Sequence, residues 1–153
     1  MTDYEKHLSD LRQAYIEATP DQRLHIALQR IKHPDGGPNL LIAYVSGLEG
    51  FTRSLVIHQE ARSKAELAAI YEKYRRKKLE ELISEYLQKK INKKSESYFG
   101  TPIWQRVVFA ISYRNLLAHE CTYLGQETYP DLIAACECVL QKLAELEGLE
   151  FKI

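Results

Sequence analysis

Three polar side chains capable of phosphate chemistry, Arg114, Asn115 and His119, interrupt an apolar run in "SYRNLLAHECTY", residues 112–123. They sit among Leu116, Leu117 and Ala118 and follow Val107-Val108-Phe109-Ala110-Ile111. Polar groups in such a setting cost free energy unless they are paired in a core or face a site. Arginine stays protonated and presents a planar fork that fits phosphate oxygens. Histidine titrates near neutral pH and can take or give a proton. Asparagine can donate to a phosphate oxygen or hold an imidazole in one tautomer. Together these types could support phosphoryl transfer without a metal: a base takes a proton from an attacking hydroxyl, an acid protonates the leaving oxygen, and positive charge stabilises the phosphorane-like transition state. A single histidine is one proton-transfer group short, and a two-fold dimer facing one cleft would supply the second.

On a helix, Asn115 and His119 (i, i+4) lie about 40° apart on one face. Arg114 projects about 140° from His119, so it must reach around or the helix must loosen near its end. The same arginine–histidine spacing occurs once more, as "RSLVIH" from Arg53 to His58. There Ser54 replaces the asparagine and the position is early in the chain. His58 reads as a surface or structural residue. Glu49 and Arg53, four apart, read as an intrahelical ion pair. The plain alternative for Arg114 is a satisfied core network, with Glu49 or Glu120 as its partner.

The elements that must position these residues read as helices. With 153 residues and 45 % hydrophobic content, the chain can bury one sizeable core, and 1–153 is read as a single domain. Seven Gly and five Pro leave little turn chemistry, which favours long helices over many strands. Capping boxes are expected at Thr19/Gln22 and Ser63/Glu66, cap-plus-proline starts at Thr101-Pro102 and Pro130, and a loop at 33–39 ending in Asn39 as a cap. The expected helices run near 3–18, 20–32, 39–61, 64–92, 102–121 and 130–147, with "SESYFGTP" up to Pro102 as a linker turn. The fold class is all-α, a bundle of about five to six helices. Gly47 and Gly50 suit close helix packing, and Tyr98, Phe99 and Trp104 suit packing more than base stacking.

"RNLLAH" at 114–119 resembles the signature of the HEPN superfamily, helical-bundle proteins many of which are ribonucleases: Arg, a polar residue, three more residues, then His on a late helix. "RSLVIH" departs from it in its second residue and its position. Cys121 stands where some members carry a tyrosine. The resemblance implies a metal-independent endoribonuclease acting on RNA, with Arg114, Asn115 and His119 as catalytic residues. It also implies a homodimer with a composite active site, and by analogy a toxin or defence role with an antitoxin or regulatory protein as a further partner. The family also contains inactive members, which makes a non-catalytic binding or scaffold module for RNA, nucleotide or protein the alternative. A purely structural bundle is the third reading.

Formal charge is zero, yet residues 71–94 hold nine Lys/Arg against four Glu, a net of +5 that leaves −5 elsewhere. This stretch reads first as a solvated face. Lys77, Lys78, Lys93 and Lys94 are its candidate RNA-phosphate contacts. The three cysteines, Cys121, Cys136 and Cys138, form no CxxC pair, and Cys136-Glu137-Cys138 diverges on a helix, so neither a metal site nor a cofactor is expected. Free thiols, a polar start and the lack of a long apolar stretch suit a cytoplasmic protein without a leader or membrane span.

Overall fold

The computed structural model describes residues 6, 9, 10, 13, 14, 16–32, 38–120 and 126–153, the side chains of 29, 30, 116, 119, 120 and 126 excepted. The fold is an all-α bundle: α1 Pro20–Lys32, α2 Pro38–Glu60, α3 Leu67–Tyr74, α4 Leu79–Ile91, α5 Ser95–Phe99, α6 Thr101–Glu120 and α7 Tyr129–Leu146. Short 3₁₀ turns at Lys64–Glu66 and Gln126–Thr128 precede α3 and α7. Among the described residues there is no strand.

Helix α2 is the hub, packed against α1, α3, α4, α6 and α7. Leu41, Val45, Leu48, Phe51, Thr52 and Val56 on it are fully buried. Such extensive burial explains why α2 is apolar over most of its surface, with Ser46 exposed and Glu49 half-buried on the remaining side. It is long and apolar enough to cross a membrane by length and composition, contrary to the expectation that no stretch comes near, but 67 % of its apolar window is buried against the other helices. Thr52 reconciles its hydroxyl with this core by donating to the Leu48 carbonyl at 2.7 Å. Gly47 lets α1 approach closely: a Cβ there would meet the Ala27 Cβ at 3.2 Å.

The start of α1 follows its sequence signal, with Thr19 N donating to Gln22 Oε1 at 2.9 Å and Gln22 N to Thr19 Oγ1 at 3.2 Å. The second expected box does not form: the Ser63 side chain makes no cap bond, and Glu66 Oε2 accepts from the Arg62 amide at 2.7 Å. Asn39 is not the cap of α2, because Pro38 already opens the helix. Much of the expected helix at 3–18, residues 33–37 of the expected 33–39 loop, and Cys121 lie outside the described residues.

The expected single helix over 64–92 is two helices broken at 75–78. Tyr74 and Leu79 are both buried to within 1 %. Five residues apart on one helix they would diverge by about 140°, so the chain turns at Arg75-Arg76 and re-aims the second apolar stripe inward. At the restart, Lys78 is extended and its amide donates to Glu81 Oε2 at 3.3 Å. The expected linker also contains a helix, α5, because Ser95 and Phe99 are buried one turn apart. Ser95 Oγ meets Ser84 Oγ at 3.1 Å, and Phe99 stacks with Trp104 at 6.1 Å and meets Tyr98 edge-on at 5.0 Å. These aromatics pack, as their sequence setting suggests.

A polar clasp secures the break. Tyr74 donates from its hydroxyl to Glu85 Oε1 at 2.9 Å, Lys77 Nζ to Glu85 Oε2 at 3.0 Å, and Lys73 Nζ to Glu60 Oε1 at 2.8 Å. The Lys73 hydrogen bond holds the Glu60 carboxyl below its ordinary 4.5. Burial pushes Glu85 upward, but the bonds from Lys77 and Tyr74, with the Lys77 and Lys89 charges, bring it below the ordinary value. Both acids are depressed in the fold, so the stability they contribute is present above the unfolded value of 4.5 and lost as pH falls through the folded values. Thermal melts between pH 6 and pH 3 should therefore show a loss on the acid side. Tyr74→Phe, lacking the donor, should show less of it; identical acid losses in the two proteins would contradict the clasp.

Candidate functional site

Helix α6 carries Arg114, Asn115 and His119, and the facing side of α2 supplies partners for Arg114. Arg114, its side chain 17 % exposed, turns toward α2. Its Nη2 donates to Glu49 Oε1 at 3.3 Å, its Nη1 to Ser46 Oγ at 3.3 Å, and its Nε to Asn115 Oδ1 at 2.9 Å. The other Glu49 oxygen, Oε2, lies 3.7 Å from Arg53 Nη2, one helical turn along α2. Arg53 is buried and donates to the Lys77 carbonyl at 3.5 Å, tying the site to the break between α3 and α4. The core-network partner expected for Arg114 is thus Glu49, and the expected Glu49–Arg53 pair is present within a larger cluster.

Two guanidinium groups share one carboxylate, so the cluster keeps a formal charge of +1. One N–H on each Arg114 Nη remains after the bonds to Ser46 and Glu49. Asn115 is exposed, and its oxygen accepts from Arg114 Nε, so among the described residues its amide N–H groups remain as donors. The cluster therefore offers N–H donors and net positive charge where α6 meets solvent, the requirement for holding a phosphate. The α6 backbone is helical through Glu120, so no loosening of the helix brings Arg114 round. The His119 side chain lies outside the described residues; its backbone keeps it one turn after Asn115.

Sequence reasoning did not assign Ser46, Glu49 and Arg53 to the site. Their signal is the spacing i, i+3, i+7 of polar residues on an otherwise apolar helix, a polar stripe on one face. The two arginine–histidine pairs separate in space. Arg53 joins the Glu49 cluster, while His58 lies five residues further along α2, about 7.5 Å from Arg53 by helical rise, and about 140° round the axis from it. His58 is half-buried and bonds the Ala18 backbone; burial holds its pKa below the ordinary 6.5. It helps line a separate cavity of about 670 Å³ with Thr19, Gln22, Arg62 and Lys64.

Cys136 on α7 feels the Arg114 charge, yet burial dominates and pushes its thiol up to about 12. It is protonated at neutral pH, as a thiol buried in apolar surroundings is. Among the described residues no group of three His, Cys, Asp or Glu could hold a metal.

The four candidate lysines do not form one patch. Lys77 and Lys78 precede α4, while Lys93 and Lys94 follow it, about 18 Å away by helical rise. Lys77 is engaged with Glu85, whereas Lys78, Lys93 and Lys94 are exposed. If this stretch contacts RNA, reversing Lys93 and Lys94 should weaken binding and lower the salt slope by roughly one unit per lost phosphate contact. An unchanged slope would return them to a solvated face. Reversal at Lys77 is a poorer test, because it also breaks the Glu85 clasp.

Comparison with protein-family models, with curated proteins and with solved structures gave no match for this chain.

Proposed function

We propose that this chain is a HEPN-like, metal-independent endoribonuclease working as a homodimer in the cytoplasm. The observation that carries the reading is the Arg114 cluster: a guanidinium held by Ser46 and Glu49, orienting Asn115 and retaining net positive charge on α6. In this reading Arg114 stabilises the phosphate, Asn115 positions it by donating to a phosphate oxygen, and His119 transfers protons. The ribose 2′-OH attacks the adjacent phosphorus, the bond to the 5′-oxygen breaks, and a 2′,3′-cyclic phosphate remains. One histidine accepts the 2′-OH proton and its two-fold mate protonates the leaving oxygen. A toxin or defence role, with an antitoxin or regulator as partner, follows only by analogy with the HEPN family. Assaying the wild type and His119→Ala on RNA tests the reading.

The dimer is supported by Val108, 37 % exposed, on the side of α6 that carries Ser112 and Asn115, and by Phe109, 59 % exposed, next to it round the helix. Exposed apolar side chains of this size beside a polar site suit a contact between two copies of α6. Sedimentation equilibrium should give a dimer at micromolar concentration and a monomer for Phe109→Glu. A monomeric wild type would remove the composite site.

A second reading has its own observation. Arg114 is engaged by Glu49 and Ser46 within the chain, as a core network requires. A non-catalytic module would keep that network for stability and cleave no RNA.

A further inference from the structure

We infer that the groove between α1 and α2 is a nucleobase subsite for the RNA strand whose phosphate meets Arg114. It rests on the ribonuclease reading for its substrate class. The groove, about 210 Å³, has Ile26 and Ile42 as walls and Ala27, Ala43 and Gly47 along its floor. Ile26 is 48 % exposed, one of only a few large apolar side chains so open among the described residues. The floor stays shallow and smooth because Gly47 has no side chain and packs directly on Ala27.

Continuity with the Arg114 cluster identifies the occupant. Ser46 lines the groove and also accepts the Arg114 Nη1 bond at 3.3 Å, so groove and guanidinium share a wall. Arg23 stands at the groove as well. A strand with one phosphate on the positive cluster brings its adjoining base toward this side of α2, where Ile26 and Ile42 offer apolar surface to a ring face. The walls offer apolar surface and few hydrogen-bonding groups, so the subsite senses that a base is present more than which base it is. Sequence-tolerant contact of this kind is usual where single strands are held by their rings and backbone.

The test uses a 2′-O-methyl octanucleotide containing 2-aminopurine, which cannot be cleaved through its 2′ position, and its abasic counterpart. Binding is read by fluorescence and by anisotropy. Ile26→Ser should weaken the base-containing strand about tenfold, the scale of one lost apolar contact in a pocket. It should leave the abasic strand within twofold, and Ile26→Leu should restore binding. Ile26 is exposed, so the variants should fold, which circular dichroism checks. Equal loss for both strands, no loss for either, or no binding by wild type would overturn the subsite. So would a change in oligomeric state on Ile26→Ser, which would make the groove a contact between copies. Base-dependent binding without cleavage of ordinary RNA would keep the subsite and sink the ribonuclease reading, whereas cleavage without base-dependent binding would do the reverse.

Discussion

His119→Ala should lower RNA cleavage by ~10²–10⁴, the range for losing a general acid or base, while His58→Ala should cost less than about tenfold. The two histidines share the same spacing from an arginine, so each controls for the other in one background. His58 bonds the Ala18 backbone at the end of α2, away from the Arg114 cluster. Circular dichroism and thermal melts must show both variants folded, since losing a structural histidine can abolish activity through instability alone. Comparable losses from both would remove the case for His119 as the proton-transfer group.

Glu49→Ala should destabilise the fold by about 2–3 kcal/mol, a large effect for one side chain. Removing one partner of a buried ion pair costs about 3–5 kcal/mol because the other charge stays buried and unpaired. Glu49 is 27 % exposed, which lowers the figure, but it serves two guanidinium groups that would then face each other. Chemical denaturation measures the change directly, and a melting temperature lower by roughly 5–10 °C should accompany it. Glu49→Ala combined with Arg114→Ala should cost less than the two single changes added together, since the double change removes one of the stranded charges. A loss below about 0.5 kcal/mol for Glu49→Ala would mean that the cluster is ordinary surface pairing.

The helical character and most boundaries were readable from caps, prolines and apolar spacing. Thr19/Gln22 formed its box with both side chains exposed and each bonded to the other's amide. Ser63/Glu66 failed because the Glu66 carboxylate had a nearer donor in the Arg62 amide. The break between α3 and α4 was hidden by a spacing that looks helical on either side. The phase jump between Tyr74 and Leu79 reveals it only when both are required to be buried. At the site, local spacing placed Asn115 and His119 on one face, but Ser46 is 68 residues from Arg114 and Glu49 is 65. Such a pairing depends on how α2 and α6 pack, which no single stretch of sequence contains. Periodicity likewise could not tell that the arginine of the look-alike pair, Arg53, belongs to the cluster while its histidine does not.

The most direct measurement is the chemistry of the cleaved ends. Purified protein incubated with RNA in EDTA should cleave it and leave 2′,3′-cyclic phosphate and 5′-hydroxyl ends, because the proposed nucleophile is the ribose 2′-OH and the proton transfers are assigned to His119. Cleavage that stops in EDTA and leaves 5′-phosphate ends would contradict the account even if His119 mattered, and so would a folded dimer that cleaves no RNA at all.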